Sequence, residues 1–174
     1  MTTTKKNITS AICLALCLIL PFLTGQIPQI GNALAPMHIP VLICGLVCGW
    51  QYGLLVGLIA PVLRACTFGM PPLFPTATAM AFEMAAYGAF SGLLYAKLPK
   101  KLPYLYLSLI SALLLGRIVW GLATWLLLGI TGQGFSFSAF LAGAFINAVP
   151  GILCHILLIP PIVLGLRKAK LAEA

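Results

Sequence analysis

Acidic residues are almost missing from this chain. Of 174 residues, two are acidic, Glu83 and Glu173, and one of those is next to last. Charged residues of both signs make up only 7%. A soluble domain is about one quarter charged, so a water-soluble globule could not cover its surface with this composition. Disorder is excluded by the same shortage, because disordered chains are polar and highly charged. One internal carboxylate is too few for an acidic proton relay, a carboxylate-held metal centre or a resident ATPase. The chain also lacks the Gly-rich phosphate loop ending in Lys-Ser/Thr. Energy for any uphill movement therefore has to come from outside the chain.

Metal and redox patterns are lacking too. The six cysteines (Cys13, Cys17, Cys44, Cys48, Cys66 and Cys154) all lie in apolar stretches, and none forms a Cys-x-x-Cys pair. They read as reduced, small, buried hydrophobes. Neither a cofactor nor a metal is expected. The N-terminus has the outline of a signal peptide, with Lys5 and Lys6 before an apolar core and Ala33-Leu34-Ala35 after it. The core ends ten residues before that tripeptide, however, and Pro36 follows it. An uncleaved first helix is the expected outcome.

What is abundant is apolar surface. Hydrophobic residues make up 61% of the chain, in continuous runs such as residues 12–23. Barrel strands alternate apolar and polar residues, so continuous runs favour helices. A spanning helix uses about 20 residues, and the length accommodates six. We expect one all-α integral membrane domain over residues 1–174, a six-transmembrane-helix bundle. Its helices are expected at about residues 8–25, 36–50, 51–67, 76–96, 104–128 and 137–166. The second and third are short for full spans. Residues 68–75 (FGMPPLFP), with three prolines and one glycine, break the chain before the fourth. Pro150 and Pro160-Pro161 are expected to bend the last.

The net charge of +8 does not point to nucleic acid, because the cations sit in short clusters between apolar runs. With six spans, Lys5, Lys6, Lys97, Lys100, Lys101, Arg167, Lys168 and Lys170 fall on one side, and the opposite loops hold no Lys or Arg. By the positive-inside rule both termini are cytoplasmic, which makes this a multi-pass plasma-membrane protein.

Three charges remain inside the spans: Arg64, Glu83 and Arg117. Intramembrane charges are functional candidates by default. The plain alternative is an ion pair of Glu83 with one arginine, but that leaves the other arginine over. A guanidinium matches a carboxylate in bidentate fashion, so an acidic or strongly polar small ligand is the sharper reading. His38 reads first as an interface histidine and second as a ligand contact. Ala139, Gly143, Asn147, Gly151 and His155 form an i+4 series that reads as a packing face, with Asn147 as a possible cavity residue. Tyr87, Trp120 and Trp125 are each suited to stacking on a ring, to the core or to the lipid belt. Ser91, Ser108 and Ser111 have no base at a recognisable spacing, so an intramembrane enzyme is not expected. Gly45, Gly49, Gly53 and Gly57 repeat at four-residue spacing, which predicts a tight hairpin of the second and third helices. Ala11 and Ala15 give the first helix a small-residue step on which another helix can pack.

Taken together, the chain resembles the substrate-binding S components of energy-coupling factor (ECF) vitamin transporters. The likeness is carried by AICLA at 11–15, PMHIPVLICGLVCGWQYGLLVG at 36–57 and GMPPLFP at 69–75, within a chain of matching length, helix number and orientation. The resemblance implies a subunit that captures a vitamin or vitamin precursor at the outer face, without being an enzyme itself. Its partners would be an ECF transmembrane coupling subunit and two ATPase subunits, and it would release the ligand inside by reorienting in the bilayer. Ala11 and Ala15 would dock on the coupling subunit. Residues 26–35 would form a lid. Glu83, Tyr87, Arg117, Trp120 and Asn147 would line the pocket, with Arg64 and His38 nearby. The two arginines favour a carboxylate ligand such as nicotinate or pantothenate, whereas Glu83 and the aromatics equally suit a heterocycle with hydrogen-bond donors. A self-sufficient permease or channel is the alternative function.

Overall fold

The computed structural model describes residues 1–23 and 34–169. The described residues form helices and turns, with no strand among them. The expected lid, 26–35, lies outside them except for Leu34 and Ala35. Helix α1 spans Thr3–Leu23 and buries only Cys13, Cys17 and Pro21, one residue per turn on a single stripe. Helix α2, His38–Cys48, has 11 residues and buries nine of them, so it is surrounded by protein. Gly49 ends α2 at φ 103°, a conformation that side chains rarely adopt, and reverses the chain into α3, Trp50–Phe68. Gly69 closes α3 in the left-handed conformation and returns its N–H to the Ala65 carbonyl. After the proline breaker, a kinked segment at Leu73–Ala77, extended at Phe74 (φ −122°, ψ 136°), leads into α4, Thr78–Lys97. Helix α5 runs Leu102–Ile130, with Pro103 in its first turn, where no N–H is needed.

The last segment is one helical run, Phe137–Lys168, interrupted near Pro150 as expected: α6 (Phe137–Leu141), a π-helical turn (Ala142–Ile146) and α7 (Val149–Lys168). Pro150 is the cause. It has no N–H for the Ile146 carbonyl and its ring crowds the preceding turn, so the helix restarts with Pro150 in its first turn. Pro160 and Pro161 stay within α7.

Four segments are long and apolar enough to cross a membrane: Thr3–Leu23, Trp50–Phe68, Leu102–Ile130 and Phe137–Lys168. Helix α4 is not one of them, and its position explains why. It packs against α2, α3 and α5, so it is solvated by protein more than by lipid. Its buried residues recur every turn, as Glu83/Met84, Tyr87/Gly88, Ser91/Gly92 and Tyr95.

Glycine makes this packing possible. A β-carbon on Gly45 would meet the Gly88 carbonyl, one on Gly53 would meet Gly45 and Gly88, and one on Gly57 would meet the Met84 backbone. The four-residue glycine repeat therefore does more than close the α2–α3 hairpin. It seats α4 on that hairpin, backbone to backbone. Gly88→Ala should lower the stability of the protein in detergent by about 1–3 kcal/mol through overpacking. Gly129→Ala, on α5 with nothing within 4 Å of its β-carbon, should be neutral or stabilising by up to about 1 kcal/mol. Thermal unfolding of the two variants checks the contrast, and equal melting would contradict the close junction.

Candidate functional site

The buried stripe of α4 places Glu83 and Tyr87 one turn apart, and the Tyr87 hydroxyl donates to Glu83 Oε1 at 2.8 Å. Helix α5 supplies the counter-charge: Arg117 Nη1 lies 2.9 Å from the same oxygen. Its neighbour Gly116 leaves room for the Tyr87 ring, which a β-carbon there would strike. From α2, His38 brings Nε2 to 3.7 Å from Glu83 Oε2. The His38 ring meets Tyr87 edge-on at 5.2 Å between centroids.

A fifth residue joins from α7. His155 lies 5.9 Å from His38, ring to ring, and its Nε2 is 3.3 Å from the Ala35 carbonyl oxygen. His38 Nδ1 faces that same oxygen at 3.1 Å, and the His38 backbone N–H donates to it at 3.0 Å. Ala35 holds this oxygen in place from a left-handed conformation, φ 45°, which is uncommon for a residue with a side chain. Glu83, His38, Arg117 and His155 are all buried, at 2%, 3%, 8% and 1% exposure. Such a carboxylate inside a membrane bundle is tolerable only because a cation and a hydroxyl face it.

The other candidates lie apart from this cluster. Arg64, on α3, donates to the Leu18 carbonyl at 2.6 Å, and its guanidinium lies over the rings of Phe22 and Phe68. Among the described residues it has no carboxylate partner. It fastens α1 to α3, and Arg117 is the arginine that pairs with Glu83. Trp120 packs on Gly143 and, edge-on, on Phe135. Asn147 is exposed at the break before α7. Trp125 is 57% exposed, on the outer surface of α5. Ala11 and Ala15 are exposed on α1, and Ala11 borders an open groove with Leu14 of α1 and Tyr52, Leu55 and Ile59 of α3. No group of three or more His, Cys, Asp or Glu side chains among the described residues is arranged to hold a metal.

Sequence reasoning did not place His155 in the cluster. Its one signal was the i+4 series through Asn147, and the break at Pro150 divides that series. Only Gly151 and His155 share the buried face of α7.

The family model for the substrate-specific component of ECF transporters matches residues 5–163. The chain therefore belongs to that family of transporter components, which is not an enzyme family. No match is found among curated proteins or among solved structures.

Removing one member of the buried pair should expose its cost. Arg117→Met leaves Glu83 without its cation and should destabilise the protein by about 3–5 kcal/mol. The double variant Glu83→Gln/Arg117→Met should recover more than half of that loss. Thermal unfolding of the single and double variants is the measurement, and strict additivity would show that the two groups do not act as a pair.

Proposed function

We propose that the chain is the substrate-capture subunit of an ATP-driven importer for a small vitamin or vitamin precursor, and that the Glu83 cluster is its binding site. The observation that carries this reading is the buried carboxylate on α4, with Tyr87 of the same helix and Arg117, His38 and His155 gathered around it from three other elements. It is a polar island inside a lipid-facing bundle. In membrane bundles such islands mark substrate paths and ligand sites.

In this reading the bundle has six spans (α1, α2, α3, α4, α5 and the α6–α7 segment) and both termini are cytoplasmic. The segregation of loop lysines and arginines to one side supports that orientation. Glu83, about one and a half turns into α4, then lies in the outer half of the membrane. The chain's lack of acids and nucleotide motifs requires that ATP be hydrolysed by partner subunits. Capture at the outer face is followed by release inside as the bundle reorients with those partners. Helix α1, with its small exposed residues Ala11 and Ala15, is the docking face for the coupling subunit.

Two measurements test this. Ala11→Trp and Ala15→Trp should each block assembly with the coupling and ATPase subunits while leaving the fold intact, as read by co-purification and thermal unfolding. Survival of the complex in both variants would remove α1 from the docking face. In proteoliposomes, uptake should require ATP and all partner subunits. Uptake by the chain alone would establish a self-sufficient permease instead.

A further inference from the structure

Hydrogen-bond donors are in short supply around Glu83. Oε1 accepts from Tyr87 and Arg117, whereas Oε2 accepts from no donor among the described residues and faces His38 Nε2 at 3.7 Å. Both imidazoles point their other nitrogen at the Ala35 carbonyl, His38 through Nδ1 and His155 through Nε2. A carbonyl oxygen only accepts, so a hydrogen on either ring nitrogen would point at it, beside the His38 backbone N–H that it already takes; we take both rings in that tautomer. In neutral rings His38 Nε2 and His155 Nδ1 are then bare lone pairs. Both atoms are buried without a hydrogen-bond partner. Glu83 Oε2, His38 Nε2 and His155 Nδ1 thus form a set of three acceptors in one buried cluster. On the donor side, Arg117 Nε stands without an acceptor. Arg64 cannot redress the balance, because it is held at Leu18 between two phenylalanines. Buried acceptors left unmatched are costly, and native structures pair nearly all of them.

We propose that the captured molecule is a hydrogen-bond donor (an amine, an amino-substituted heterocycle or a ring N–H compound) that donates to Glu83 Oε2 and to the bare nitrogens of His38 and His155. A simple carboxylic acid would set further acceptors and a second negative charge against Glu83. Nicotinate, which when ionised carries no N–H or O–H, is thereby disfavoured, whereas pantothenate, with two hydroxyls and an amide N–H, is not. This inference rests on the reading of the Glu83 cluster as the ligand site and narrows its chemistry.

The chain has two histidines, so ¹⁵N-histidine labelling of the full-length protein in nanodiscs gives two rings, assigned by a His155→Gln variant. The proposal requires the spectra to place hydrogens on His38 Nδ1 and His155 Nε2, and none on His38 Nε2 or His155 Nδ1. A doubly protonated His38 would supply the missing donor from the protein itself and overturn the proposal. Nicotinamide and nicotinate, which share a ring and differ as amide and carboxylate, are then titrated separately. Nicotinamide should move the His38 Nε2 and His155 Nδ1 resonances at about tenfold lower concentration than nicotinate, the margin expected from one buried hydrogen bond; the reverse order overturns the proposal. In Glu83→Gln the nicotinamide response should weaken about tenfold or more. If that response persists unchanged, the site assignment itself fails. If nicotinate is preferred and its effect is lost in Glu83→Gln, the site stands and only the donor chemistry falls.

Discussion

The structure turns on keeping one carboxylate ionised where water is scarce. A lone charge in the apolar interior of a bundle is so costly that the surroundings have to answer it. Here the Tyr87 hydroxyl of the same helix and Arg117 of α5 meet one oxygen, while His38 of α2 stands 3.7 Å from the other, with His155 of α7 behind it. Each of those elements is held at a definite depth and rotation by its contact with the next. The electrostatic demand of one residue therefore specifies the relative placement of half the bundle.

That demand can be met only because α4 comes close to its neighbours. Gly45, Gly53 and Gly57 open a channel in the α2–α3 hairpin, and Gly88 of α4 enters it. Gly116 does the same for Tyr87 on α5. Without a hydrophobic force between helices in lipid, close backbone packing and polar contacts are what remain to hold them. The glycines supply the first and the Glu83 cluster the second. Their coincidence on one helix explains why α4 is the least apolar of the long helices and yet the most enclosed.

Much of this was legible in the sequence. Long apolar runs and punctuating prolines located the helices to within a few residues, as with Trp50–Phe68 and Thr78–Lys97. The three intramembrane charges stood out by cost alone, and one of the two possible arginine pairings proved to be present. Which arginine it was could not be read, because depth and rotation around a helix axis decide it and neither is written in spacing. Arg64 is drawn instead to a backbone carbonyl and two aromatic faces contributed by distant residues. The place of His155 was hidden because the i+4 series does not keep to one face: Asn147 is exposed, whereas Gly151 and His155 are buried. The role of Gly57 was partly misread for a simpler reason: an i+4 repeat says that something comes close, without saying which helix.

Helix α1 buries only Cys13, Cys17 and Pro21, and adds to them the Leu18 carbonyl and the Phe22 ring that meet Arg64. Much of its remaining perimeter is exposed and apolar, as at Ile12, Leu16, Ile19 and Leu23. To such a surface, lipid tails and another protein's leucines are nearly equivalent solvents, so trading one for the other releases little free energy in either direction. An attachment made there is held by shape more than by oiliness. It can be undone without exposing anything to water. An apolar perimeter of this kind suits contacts that come and go, while the inward stripe stays committed to the fold.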